Sequence, residues 1–233
     1  MRLFYITVST VHSPSSPSST VASLDNPTKL IQQGKVNTKH VYSVTNSFEG
    51  AIFIDPTKAA TMQVVEYVSQ LYPTLSSRDA AVVSTRYSSL GSNATQAALT
   101  YSDFICPTYT LLSPLGRDTF KAEFAFPPGT HSADEAYYYN AYWDSGKFAD
   151  GVNVDAATTF AQSFMNFVKH LDPSVQDTSS NIYLVNWKTW NGRKELVFNQ
   201  TSAGAPDVRP GRTSIDLLSR CQFWESLSHS TSQ

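Results

Sequence analysis

Residues 119–131 read T-F-K-A-E-F-A-F-P-P-G-T-H. Phe120, Ala122, Phe124 and Phe126 alternate with Lys121 and Glu123, the period of a strand. Pro127-Pro128-Gly129 then breaks the run, and His131 stands on the loop beyond it. Residues 40–50, H-V-Y-S-V-T-N-S-F-E-G, have the same design. An apolar run of strand length ends at Thr45, residues 46–50 form a loop, and that loop carries Glu49.

Helical patterns flank these strands. Asn26 to Gly34 reads as a helical turn ended by Gly34. In residues 57–72, Met62, Val65, Val68 and Leu71 recur at the helical period, and Pro73 stops the run. Residues 93–112 carry Ala97, Ala98, Tyr101, Ile105 and Tyr109 at helical spacing, with Pro107 as a kink or break. Residues 156–171 form the clearest helix, with Phe160, Phe164, Phe167 and Leu171 on one face and Asp172-Pro173 beyond. Residues 195–199 read as a short strand. Residues 214–227 close the chain as a helix with Ser214 as its cap. Strands alternating with helices predict an α/β fold.

Composition narrows the class. The chain has 233 residues, enough for one large domain or two small ones, and 41% of them are apolar, enough for a packed core. Only 15% are charged, against about 25% in an ordinary soluble domain. The net charge of −2 gives no basis for a nucleic-acid or acidic-membrane partner. No apolar run approaches the ~18 residues of a transmembrane span. The first eight residues, M-R-L-F-Y-I-T-V, hold too short an apolar run for a signal peptide, and the Ser/Pro stretch of residues 9–19 reads as loop. Cys106 and Cys221 are too few for a structural metal, and no metal or cofactor is expected. Asn93-Ala-Thr95 and Asn199-Gln-Thr201 are glycosylation acceptor tripeptides.

A carboxylate that orients an imidazole, and an imidazole that takes a proton, are the base half of acyl-transfer chemistry. Glu49 and His131 have those identities, one on the loop past an apolar strand-like run and the other on a Pro/Gly loop. The nucleophile of such a site sits on a Gly-x-Ser-x-Gly elbow between strand and helix. No such elbow occurs here: neither Q-T-S-A-G at 200–204 nor L-G-S-N-A at 90–94 has both glycines in place. Read one by one, these residues have plainer roles. A glutamate after a strand is usually a solvated loop residue, and a histidine beside Pro-Pro-Gly a surface residue. Asp134 reads as a helix N-cap, Tyr137 to Tyr139 as packing residues with polar tips, and the two cysteines as separate buried thiols.

Several stretches in order change that balance. Glu49 lies in N-S-F-E-G, residues 101–107 read Y-S-D-F-I-C-P, and His131-Ser-Ala-Asp134 follows. Then come the aromatic helix of residues 160–173, Trp187, and R-C-Q-F-W at 220–224. In this order the chain resembles the C-terminal part of the type-B carboxylesterase/lipase family, the cholinesterase-like branch of the α/β-hydrolases. The match runs over roughly residues 26–227. The resemblance implies the C-terminal portion of an α/β-hydrolase fold, a partial sheet with flanking helices. It implies a partial esterase domain over residues 24–233, after a disordered or unrelated segment at residues 1–23. It makes Glu49 the triad acid and His131 the catalytic base. It pairs Cys106 with Cys221, and makes a small-molecule or lipid ester the substrate and the extracellular space the location.

There are departures from the family pattern. Ser132 replaces the usual glycine after the histidine, which crowds the turn. The spacing from Glu49 to His131 is short for the family. The half bearing the nucleophile elbow and the oxyanion loop is absent. The expected function is therefore that of a truncated carboxylic ester hydrolase, inactive alone. The alternative is a non-catalytic, cholinesterase-like adhesion or binding module, in which the catalytic pair would be eroded.

Overall fold

The structure, a computed structural model, describes residues 6–7, 27–59, 61–138, 152–175, 187–191 and 193–231. Its centre is a mixed sheet of β1 (Ile6–Thr7), β2 (Val41–Asn46), β3 (Thr119–Phe124), β4 (Lys194–Gln200) and β5 (Pro206–Arg212), in that spatial order. β2, β3 and β4 run parallel, while β1 and β5 are antiparallel to their neighbours. The register sets Val41 opposite Thr119 and Asn46 opposite Phe124, so β2 and β3 end level. The expected strands at 40–45, 119–126 and 195–199 are these three.

β5 carries no alternating apolar signal and was not anticipated. It contains Pro206 and Pro210, residues confined to edge strands because they donate no ladder hydrogen bond, and it lies at the edge of the sheet. Of the N-terminal segment expected to be disordered or unrelated, Ile6 and Thr7 form β1 beside Val41 and Tyr42, and the remainder lies outside the described residues.

The two faces of the sheet differ in chemistry. Tyr42, Phe120, Ala122, Phe124, Leu196 and Phe198 face α8 (Val154–His170). α8 starts at Asn153, whose side chain accepts the Ala156 N–H, and Leu171 in left-handed conformation caps its end. Phe160 is fully buried with its ring 5.2 Å from that of Phe124 and 4.9 Å from that of Phe198. Offset and edge-on aromatic contacts of this kind fill the layer.

The opposite face is polar. Lys121 is fully buried there and donates to Thr45 Oγ1 at 2.7 Å and to the Ala122 carbonyl at 2.6 Å. Glu195 Oε2 accepts from Tyr109 and Thr213, both at 3.0 Å. Burial lowers the Lys121 ammonium from its ordinary pKa, opposed by the charges of Glu195, Glu123 and Glu49.

Beyond this polar layer lie α3 (Val64–Leu71), α4 (Ser77–Tyr87), α5 (Ala94–Leu99), α6 (Cys106–Leu112) and α9 (Ile215–Ser226), packed on one core. The helix expected over 57–72 is two pieces, Pro56–Ala59 and α3. Gln63 is extended between them, and the break turns Val64 and Val68 inward in place of Val65, which is exposed. The helix expected over 93–112 is continuous but changes gauge. A π-helical turn, Thr100–Ile105, joins α5 to α6, and the Cys106 N–H reaches back to the Tyr101 carbonyl. Pro107, which lacks an N–H, then falls in the first turn of α6 and causes no break. α4 was missed because its sequence is rich in Ser, Arg and Asp. Ser76 caps it by accepting the Asp79 N–H.

Cys106 and Cys221 form a disulfide with their Cα atoms 4.8 Å apart, joining the start of α6 to α9. Ser214 caps α9 by accepting the Leu217 N–H, as its sequence implies. Trp224 of α9 is buried and donates to the Tyr87 hydroxyl at 2.9 Å.

Candidate active site

Because β2 and β3 are parallel and end level, the loops that leave them emerge side by side. That is where open α/β sheets place their ligand sites. Backbone bonds stitch the two loops together: the Ser47 N–H donates to the Phe124 carbonyl at 3.1 Å, and the Phe48 N–H to the Gly129 carbonyl at 2.8 Å. The first loop tightens at once into a 3-10 turn, Glu49–Phe53. Gly50 is required there. A Cβ at this position would lie 2.6 Å from both the Gln96 carbonyl oxygen and Thr100 Oγ1. The Gly50 N–H instead donates to Thr100 Oγ1 at 2.7 Å, which fixes the turn against α5 and the π-helical turn.

The turn aims Glu49 inward. Its residue is 6% exposed. Oε1 accepts the Asn46 N–H at 2.8 Å, and Oε2 lies 2.7 Å from His131 Nδ1. Burial raises the Glu49 carboxyl above its ordinary value; the Asn46 N–H and His131 pull it down, and Asp134 adds to the rise. With the carboxylate on Nδ1, the imidazole holds its proton there and presents Nε2 as the acceptor. The His131 ring has Phe53 and Phe104 beside it, centroids at 5.1 and 5.0 Å, and these two phenyl rings stack on each other at 5.4 Å. Phe48, Ile52 and Phe53 of the acid turn are each more than half exposed, so an apolar rim adjoins the pair.

The histidine loop turns through the cis bond Pro127-Pro128, Gly129 at φ 61 and Ser132 at φ 65. The strain expected at Ser132 is present: a side-chain-bearing residue in left-handed backbone costs about 1–2 kcal/mol relative to glycine. Asp134 does not cap the helix after it. That helix, α7 (Glu135–Tyr138), receives only the Asp134 backbone carbonyl, and the Asp134 carboxylate accepts from Asn46 Nδ2 at 2.9 Å. Tyr137 is buried against Phe126, with its ring stacked at 4.9 Å; Tyr139 lies outside the described residues. Asp103 accepts a hydrogen bond from the Tyr72 hydroxyl, away from the pair.

Sequence reasoning missed Asn46, Phe53, Phe104 and Thr100. Phe104 lay within the Y-S-D-F-I-C-P stretch without being assigned a role, and the others carry no local signal, since their partners Asp134, His131 and Gly50 are distant in the chain. Of the two glycosylation acceptors, Asn93 is exposed ahead of α5, while Asn199 is half-buried within β4 and its Oδ1 accepts the Gln200 N–H. No helix among the described residues is long and apolar enough to cross a membrane.

No protein-family model and no curated protein matches this sequence. Solved structures do. The chain superposes on Aspergillus niger EstA with a TM-score of 0.74 at 18% identity, over 90% of its own length and 44% of that chain. It matches the juvenile hormone esterase from Manduca sexta, solved with OTFP covalently attached, with a TM-score of 0.60 at 15% identity, over 92% of this chain and 46% of that one. A thermophilic PNB esterase gives 0.59 at 14% identity, over 86% and 41%. The fold is that of the C-terminal portion of an α/β-hydrolase, and the chain spans less than half the length of each of these esterases.

Proposed function

We propose that this chain carries the acid and the base of a type-B carboxylesterase triad, with the nucleophilic serine contributed by polypeptide beyond these residues. The 2.7 Å contact between the Glu49 carboxylate and His131 Nδ1 carries the reading. In this function Glu49 holds the imidazole in the Nδ1–H tautomer and stabilises the imidazolium. Nε2 of His131 accepts the serine proton as the ester carbonyl is attacked, then returns it to the leaving alcohol. The substrate is a carboxylic ester, as the names of the structural neighbours suggest, and the rim of Phe48, Ile52 and Phe53 suits an apolar acyl or alcohol group. The absence of a Gly-x-Ser-x-Gly elbow from the sequence, and the partial span of the neighbours, support an incomplete site in this chain.

The purified chain is expected not to hydrolyse a short-chain p-nitrophenyl ester above background. In triad enzymes serine and histidine act as a unit, and losing one removes most of the rate. Adding a separately expressed nucleophile-bearing half should produce turnover that His131→Ala abolishes. Turnover by the chain alone that disappears in His131→Ala would show that the chain holds its own nucleophile, and would overturn the proposal.

The same reading includes passage through an oxidising, secretory compartment. The Cys106–Cys221 disulfide needs such a compartment to persist, and Asn93 is an exposed acceptor. Expression in a secreting eukaryotic host should add a glycan at Asn93, seen as an endoglycosidase-sensitive mass lost in Asn93→Gln. A chain that is secreted without any glycan would refute the glycosylation.

A further inference from the structure

Asn46 is the last residue of β2 and touches both halves of the site. Its backbone N–H donates to Glu49 Oε1 at 2.8 Å, and its side-chain Nδ2 donates to Asp134 Oδ1 at 2.9 Å. Glu49 and Asp134 lie on different loops, and Asp134 is three residues beyond His131. The residue is 3% exposed, and among the described residues its side-chain carbonyl has no hydrogen-bond partner. Flipping the amide does not resolve this, because it would turn a carbonyl oxygen toward a carboxylate. A buried amide with an unused acceptor is costly, so a donor aimed at Asp134 is what this position retains. Backbone pairing already joins the two loops at Ser47 and Phe48, with Phe48 bridged to Thr130, but it ends before Glu49 on one side and at the histidine on the other. Among the described residues no such bond between the two loops reaches past His131. The contact from Asn46 to Asp134 does.

Resting on the reading of Glu49 and His131 as paired acid and base, we propose that Asn46 and Asp134 are positioning residues that clamp the histidine loop onto the acid turn and so set the bond between Glu49 and His131. Neither touches the reacting atoms. Asn46 holds the carboxylate through its main chain and the histidine loop through its side chain. A single residue therefore fixes the distance between the two catalytic groups from both ends. Asp134 is the anchor on the histidine side, and its bond to an amide donor fixes the turn that follows the strained Ser132.

The test is proton NMR of the whole chain with nitrogen-labelled histidine, following the His131 Nδ1–H, assigned by its absence in His131→Gln. In the wild-type chain this proton should be downfield and slow to exchange with water. Asn46→Ala and Asp134→Ala should each speed its exchange roughly tenfold or more, the equivalent of one lost charge-assisted bond. Asp134→Asn, which keeps an acceptor oxygen, should restore slow exchange. Asp134 lies on a loop, so its variants report even where Asn46→Ala does not fold. Unchanged exchange in Asp134→Ala overturns the clamp. A wild-type chain without the downfield proton, or one whose proton is unaffected by Glu49→Gln, overturns the acid–base reading itself and the clamp with it.

Discussion

Glu49 shows how a single ionisable group is balanced at this site. Its burial favours the protonated form, while the Asn46 N–H and His131 favour the carboxylate, and burial is the larger influence. The folded chain therefore holds the Glu49 proton to a higher pH than the unfolded chain does. The stability this gives is complete below the ordinary glutamate range and is lost as pH climbs through the raised folded value. Glu49→Gln has no such titration. The unfolding free energy of the wild type relative to Glu49→Gln should thus fall as pH rises from the ordinary glutamate range through the raised folded value. Chemical denaturation across that range measures it. A difference that is flat, or that grows with pH, would show that the imidazole outweighs burial.

The strands meet two different demands, and β3 shows both. Phe120, Ala122 and Phe124 interlock with the aromatic seam of α8, while Lys121 points into the polar layer under α6. Lys121 has no carboxylate within ion-pair distance among the described residues, yet Glu195 and Glu123 favour its charge from further away. Inverting that charge should not be tolerated. Lys121→Glu places an unpaired carboxylate beside Glu195 in a buried layer, a change costing on the order of 3–5 kcal/mol. Denaturant titration should show the midpoint collapse. A loss under about 1 kcal/mol, the size of a surface substitution, would mean that the layer is hydrated.

At the scale of the molecule, the site depends on two regions held in register by the sheet and by one covalent link. The disulfide between Cys106 and Cys221 spans 115 residues, a stretch that includes β3, the His131 loop and α8. On the chain-entropy account, a loop of that length contributes on the order of 4–5 kcal/mol by restricting the unfolded chain. Reduction, or Cys106→Ala with Cys221→Ala, should lower the melting temperature by roughly 10 °C or more, since each kcal/mol is worth about 2–4 °C in a domain of this size. A reduced chain that melts at the same temperature would place the stability elsewhere. The acid turn does not lie within this loop. Gly50 and Thr100 anchor it to the helices just before the disulfide, so loosening that link should also loosen the turn.

Much of this was legible in the sequence, for a reason that differs from element to element. The alternation over 119–126, the apolar run over 40–45 and the aromatic period over 156–171 each record burial on one face, which is a local property of the chain. Ser214 and Gly34 mark helix ends because capping chemistry is local as well. The identities of Glu49 and His131 on loops after two strands suggested which chemistry they could share. What the sequence did not contain was their distance, because 2.7 Å depends on β2 and β3 being parallel and level, and register is a pairing between distant strands. The same holds for β5, whose prolines hid it until an edge position accounted for them. It holds for the polar layer around Lys121, which alternation sets on the other face of the strand without saying what covers it. And it holds for Asn46, an ordinary strand-end residue whose role exists only because Asp134 comes to meet it.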